Sequence, residues 1–101
     1  MSRINYIRDS LWFGEQVVAT LNRGGISMNE LAQRWTTSDL EDDNRPFTRS
    51  LLRNIIQGAE DLFECVFICD QRNRRWTVEG DAEDERRFVE KVRRLKAFLE
   101  I

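Results

Sequence analysis

The chain has 101 residues, 41% apolar and 34% charged, with a formal net charge of −2; this suits one compact domain around a modest core and leaves no room for a second. No apolar run approaches the roughly 20 residues that cross a bilayer, and the first residues lack the charged start, apolar stretch and small-residue cleavage site of a secretion signal, so no membrane association and a cytoplasmic location are expected. There is no His, no Gly-rich phosphate loop, no Ser or Cys nucleophile motif and no carboxylate pair in an apolar setting, so neither an enzyme nor a bound cofactor is expected.

Ile4, Ile7, Leu11, Phe13, Val17, Val18 and Leu21 recur at three-to-four spacing up to Gly24-Gly25, which predicts a first helix with a glycine stop and Trp12 widening its buried face. In "SMNE", Ser27 and Glu30 have the spacing of a capping box, and Met28, Leu31, Ala32 and Trp35 continue a second amphipathic helix. "TTSDLEDDNR", residues 36–45, holds Asp39, Glu41, Asp42 and Asp43 without an apolar period and reads as a loop. A third helix follows, opened by Pro46 with Thr48 as N-cap, and Leu52, Ile55, Ile56, Ala59, Leu62 and Phe63 give it a broad apolar face.

After Phe63 the period shortens to two. Cys65, Phe67 and Cys69 alternate with Val66 and Ile68, "DQRNRR" intervenes, and Trp76, Thr77, Val78 and Glu79 alternate again, which predicts a two-stranded hairpin with a basic turn. Val66 and Ile68 are apolar as well, so both faces of the first strand are expected to be covered. The two cysteines are too few for a structural zinc site, no metal is expected, and four residues apart on one strand they cannot pair without distortion; they read as small buried hydrophobes. The last segment opens with Asp81 as N-cap and acids in its first turn, and closes with Lys91, Arg93, Arg94 and Lys96. Phe88, Val92, Leu95 and Leu99 form a short seam on it, either packed on the chain's own first helix or hairpin or offered to a second copy as a dimer contact.

The predicted class is mainly α with a small β-hairpin, in the order helix, helix, helix, hairpin, helix. That is the winged helix-turn-helix arrangement: a three-helix core and a two-stranded wing over residues 1–80, then a C-terminal connector or dimerisation helix over 81–101. Its third helix would enter the DNA major groove and its wing would touch the backbone.

The charges fit that expectation. Arg45, Arg49 and Arg53 stand one helical turn apart, and Arg49, Ser50, Arg53, Asn54 and Gln57 fall on the side of the third helix away from its apolar face. Arg pairs with guanine and Asn or Gln with adenine, while Thr48 and Ser50 are short enough to bond phosphate beside the helix N-terminus. Arg72, Asn73, Arg74 and Arg75 add a basic turn where a wing would meet phosphates. Residues 45–58 and 71–76 together carry a local charge of +6, leaving −8 for the remainder; a low overall pI is therefore compatible with a basic stripe. The bland alternatives are a solvated helix face and an ordinary charged hairpin tip.

From Glu30 to Trp76 the sequence resembles the amino-terminal domain of bacterial WYL-domain transcriptional regulators of the Bacteroidetes type. Carrying features are Leu11 and Trp12 in the first helix, "ISMNELAQRW" ending in Trp35, the acidic loop, "PFTRSLL", "AEDLF" and "CD.RN" ahead of the aromatic strand, in an order that covers about four fifths of the chain. The resemblance implies a double-stranded DNA partner, with Thr48, Arg49, Ser50, Arg53 and Asn54 at the groove-facing helix start and Arg72, Asn73 and Arg74 at the wing tip. It also implies a ligand-sensing WYL effector domain downstream. None follows Ile101, so a fragment of a longer regulator is expected, with the last helix as its connector. A protein-interaction or dimerisation module without direct DNA binding is the alternative, drawn from the negative net charge and the seam.

Overall fold

The computed structural model describes residues 3–38 and 45–100. It is mainly helical, with a small three-stranded antiparallel sheet. In chain order the elements are α1 (Arg3–Thr20), a single 3-10 turn (Leu21–Arg23), β1 (Ile26–Ser27), α2 (Met28–Thr36), α3 (Arg49–Phe63), β2 (Phe67–Asp70), β3 (Arg75–Val78) and α4 (Ala82–Leu99). The acidic stretch 39–43 expected as a loop, and the side chain of Ile4, lie outside the described residues.

The expected two-stranded hairpin gains a third strand, because β1 pairs with β3 through Ile26–Trp76 and Ser27–Arg75 to give the order β1-β3-β2. Two residues are too few to display a strand period. Gly25 makes the approach possible: its φ is +114°, and a Cβ there would strike the carbonyl oxygen of Trp76. Gly24 just before it takes the left-handed conformation and donates to the Leu21 carbonyl at 3.1 Å, which ends the first helical segment where the glycines predict.

Ser27 caps α2 by accepting from the Glu30 amide at 3.2 Å. The reciprocal half of the expected box is absent, since the Glu30 carboxylate turns to two guanidiniums, Arg23 at 2.8 Å and Arg34 at 2.7 Å, which offer stronger charge-assisted bonds than a backbone amide. Thr48 caps α3 as predicted, accepting from the Leu51 amide at 3.1 Å. Arg45 therefore lies ahead of the helix and not on it.

Leu52, Ile55, Ile56, Ala59 and Phe63 of α3 are buried against Leu11, Phe13 and Val17 of α1. Two aromatic groups close the core. Trp12, Trp35 and Phe47 meet at centroid separations of 5.2–6.3 Å. From the next residue of α1, Phe13 stands edge-on to Phe67 at 4.9 Å, and Phe88 stands against Phe67 at 5.4 Å and Phe63 at 5.8 Å.

Of the two readings of the α4 seam, packing within the chain holds for Phe88 and Val92: they are 1% and 2% exposed, because α4 lays them into the core between α1 and α3, while Leu95 is half-buried and Leu99 exposed. Another expectation is corrected. With α4 engaged there, nothing among the described residues covers the outer face of β2, and Val66 and Ile68 remain exposed. Only Phe67 of that strand turns fully inward, opposite Val78.

Candidate nucleic-acid interface

The outward face of α3 is as the helical period predicts: Arg49, Ser50, Arg53, Asn54 and Gln57 are all exposed. No acid interrupts it before Glu60. Thr48 is exposed too, and with one lone pair of its oxygen taken as the N-cap acceptor, its hydroxyl proton and second lone pair remain for an outside partner.

The hairpin turn is built on Asp70. Its carboxylate accepts from the Arg72 amide at 2.9 Å and from the Asn73 side chain at 3.2 Å, and its carbonyl accepts from the Arg74 amide at 2.6 Å. Asn73 is thus committed to holding the turn. Arg74 takes a left-handed backbone, φ +53°, and its side chain lines the space facing α3. Arg75 leaves the expected tip altogether: it begins β3, is half-buried, and donates to the Gly25 carbonyl at 3.2 Å.

Between α3, the hairpin and the start of α2 runs an open cleft of about 800 Å³. Arg49, Arg53 and Gln57 border it from α3 and Arg74 from the turn, while Leu52, Ile56, Met28 and Trp76 make an apolar floor. Ser50, Asn54 and Arg72 stand outside it. The α2 start and the sheet, through Asn29, Cys69 and Trp76 among others, and Glu60 of α3 line the cleft without having been expected there.

The electrostatics favour anions. Among the described residues no ion pair involves Arg49, Arg53, Arg72 or Arg74, whereas Arg23, Arg34, Arg45 and Arg86 are all paired. Arg45 is held by Asp9 and stacks 5.2 Å from the Trp35 ring centre, so with Arg75 already spent the basic stripe loses two of its six expected members. Glu30, the acid nearest the α2 start, is neutralised in place: the Arg23 hydrogen bond, aided by Arg34, holds its carboxyl below the usual range. Glu60, at the far end of the cleft, accepts from the Phe67 amide at 2.9 Å.

Among the described residues no group of three or more Cys, Asp or Glu is placed to hold a metal ion, and no helix is long and apolar enough to cross a membrane. Burial pushes the Cys65 thiol up to about 12, which leaves it inert as a nucleophile. No family model, no curated protein and no solved structure matches the chain.

Proposed function

We propose that the chain is the winged helix-turn-helix DNA-binding unit of a bacterial transcriptional regulator. On this reading α1, α2 and α3 are the tri-helical core, α3 enters the major groove, and the β2–β3 hairpin is the wing. The observation that carries it is the convergence of Arg49 and Arg53 from α3 with Arg74 from the turn on one cleft, without ionic partners among the described residues. On the order of half to two-thirds of the hydrogen bonds of a DNA-binding surface go to phosphate and sugar, and the turn supplies Arg72 and Arg74 for them. Arg49, Arg53, Asn54 and Gln57 have the donors and acceptors that read guanine and adenine. The resemblance to WYL-domain regulators extends the proposal to a cytoplasmic protein with a downstream effector domain reached through α4.

The test is fluorescence anisotropy with a duplex pool of random sequence at two salt concentrations, comparing the chain with Arg49→Glu/Arg53→Glu. Salt-sensitive binding that the variant loses supports the reading. Binding that the variant keeps removes α3 from the interface.

One observation favours a second reading, a protein-contact module. Phe98 is 71% exposed beside Leu99 at 44%, both at the end of α4. Aromatic side chains are enriched in protein contact surfaces. The two readings are compatible, since a two-fold operator is commonly bound by a dimer.

A further inference from the structure

The cleft beside α3 has a feature that a DNA surface does not require. A base-pair edge meets the tips of exposed side chains, yet here Leu52 and Ile56, 5% and 9% exposed, lie below the arginines and join Met28 and Trp76 in an apolar floor. The volume, about 800 Å³, falls within the range of small-molecule sites, roughly 300–1,000 Å³, and so does the character: apolar walls with a few convergent polar groups.

All but one of the charged groups are cationic. Arg49, Arg53 and Arg74 face the space, and the first turn of α2, Met28 and Asn29, presents the positive end of a nine-residue helix to it. Glu60 is the one acid in the lining, and its carboxylate is occupied by the Phe67 amide. A neutral apolar ligand would leave three guanidiniums unanswered. A purely ionic one, such as free phosphate, would leave the floor empty.

We infer that the cleft binds an amphiphilic carboxylate, a medium-chain fatty acid or an aryl-alkanoic acid, with its carboxylate on Arg53 and Arg74 and its apolar body on Met28, Leu52, Ile56 and Trp76. A carboxylate takes two parallel hydrogen bonds from a guanidinium, the strongest pairing open to these side chains. The bound anion also occupies the cations that DNA would use, so ligand and DNA compete. That consequence rests on the DNA-binding reading; the binding itself does not.

The experiment is a titration of the whole chain, without DNA, by decanoate, 1-decanol and acetate, read from the methyl resonances of Met28, Leu52 and Ile56. Decanoate is expected to shift all three saturably. Arg53→Ala/Arg74→Ala should weaken decanoate about tenfold or more, as expected when charge-assisted bonds are lost, and should leave decanol unchanged, while acetate shifts no methyl. The variant tests the site and not the fold, because neither arginine side chain bonds within the described residues. Absence of saturable shifts, shifts confined to the Leu62 and Leu95 surface, or equal affinity for decanoate and decanol overturns the proposal. A second arm adds a duplex: at decanoate ten times its own Kd, the apparent Kd for DNA should rise about tenfold by mass action. Unchanged DNA affinity at saturating decanoate overturns the competition. A chain that binds decanoate through these arginines but never binds DNA overturns the DNA reading alone.

Discussion

Arg45 grips Asp9 through two parallel hydrogen bonds of 2.9 and 3.1 Å, across 36 residues of sequence. Its carbonyl accepts from the Trp35 indole at 3.0 Å and its guanidinium lies over the same ring, so one residue ties α1, α2 and the start of α3 together. Two residues on, Phe47 packs against Trp12 and Trp35, and Thr48 then caps α3. The direction in which α3 leaves the core is set by this junction.

Breaking the grip should cost stability and not surface charge. The Asp9 side chain is 7% exposed and that of Arg45 21%, so Arg45→Ala strands a nearly buried carboxylate, at about 3 kcal/mol. Asp9→Asn/Arg45→Gln, which removes both charges together, should recover much of that loss. Urea denaturation of the singles and the double checks it; additive losses would mean that the pair is not coupled.

On DNA, the arginines of the helix and the turn should separate by what they read. Arg53→Ala should cost about 1–3 kcal/mol on a selected site and much less on random duplex, whereas Arg74→Ala should weaken all sequences alike and lower the salt slope by about 1. Arg75→Ala should change neither, because that side chain is spent on the Gly25 carbonyl. Equal losses on selected and random DNA for Arg53→Ala would remove base reading from α3.

What the sequence made legible was local. Helix faces, the caps Thr48 and Asp81 and the glycine stop depend on neighbours within four residues, and a 3.6-residue period shows them. Arg45 shows the limit: its spacing from Arg49 and Arg53 was helical, but its partner Asp9 is on another helix, and no local pattern announces an ion pair between residues so far apart. The strand Ile26–Ser27 and the α2 share of the cleft were hidden for the same reason. Which face of β2 is covered depended on where α4 docks; a seam of Phe88, Val92, Leu95 and Leu99 says that something is buried without saying against what.

Cys65 should report the intact core in alkali. Burial pushes its thiol up to about 12 from an ordinary 9.0, with the Glu60 carboxylate adding to the effect and Lys91 opposing it. A raised folded value means that the stabilisation is complete below 9.0 and is lost as pH climbs toward 12, since only the unfolded chain ionises easily in that window. Stability measured across this range should therefore fall more steeply for the native chain than for Cys65→Ala. At pH 8 the thiolate fraction is about one part in ten thousand, so iodoacetamide should leave Cys65 unmodified until the chain is unfolded.

The α4 start should loosen in acid. Asp81 accepts from the Asp84 amide at 3.0 Å and the Asp84 carboxylate accepts from the Asp81 amide at 3.1 Å; the first of these holds the Asp81 carboxyl below its ordinary 3.8. A lowered folded value gives a stabilisation that is complete above 3.8 and disappears as pH falls through the folded value. Asp81→Asn keeps an acceptor without the charge, so its amide exchange over residues 82–86 should be less pH-dependent, converging with the native chain in acid. Identical pH dependence in the two would place the acid sensitivity elsewhere.

Along α4, burial gives way to exposure toward the C-terminal end. Phe88 is 1% exposed among Phe63 and Phe67, and Phe98, ten residues on, is 71% exposed. Phe88→Ala should cost about 3–5 kcal/mol by emptying the junction of α1, α3 and α4, while Phe98→Ala should stay within about 0.5 kcal/mol of the native chain. Val92→Glu, which a seam between copies would make a dissociating change, should instead unfold the domain, because it buries a charge beside Gly14 and Phe63. Sedimentation separates these effects. If the chain self-associates, Phe98→Glu should abolish the assembly with the fold intact, and an assembly that survives Phe98→Glu places the contact away from the end of α4, leaving the exposed Val66 and, in β2, Ile68 as the next surface to substitute.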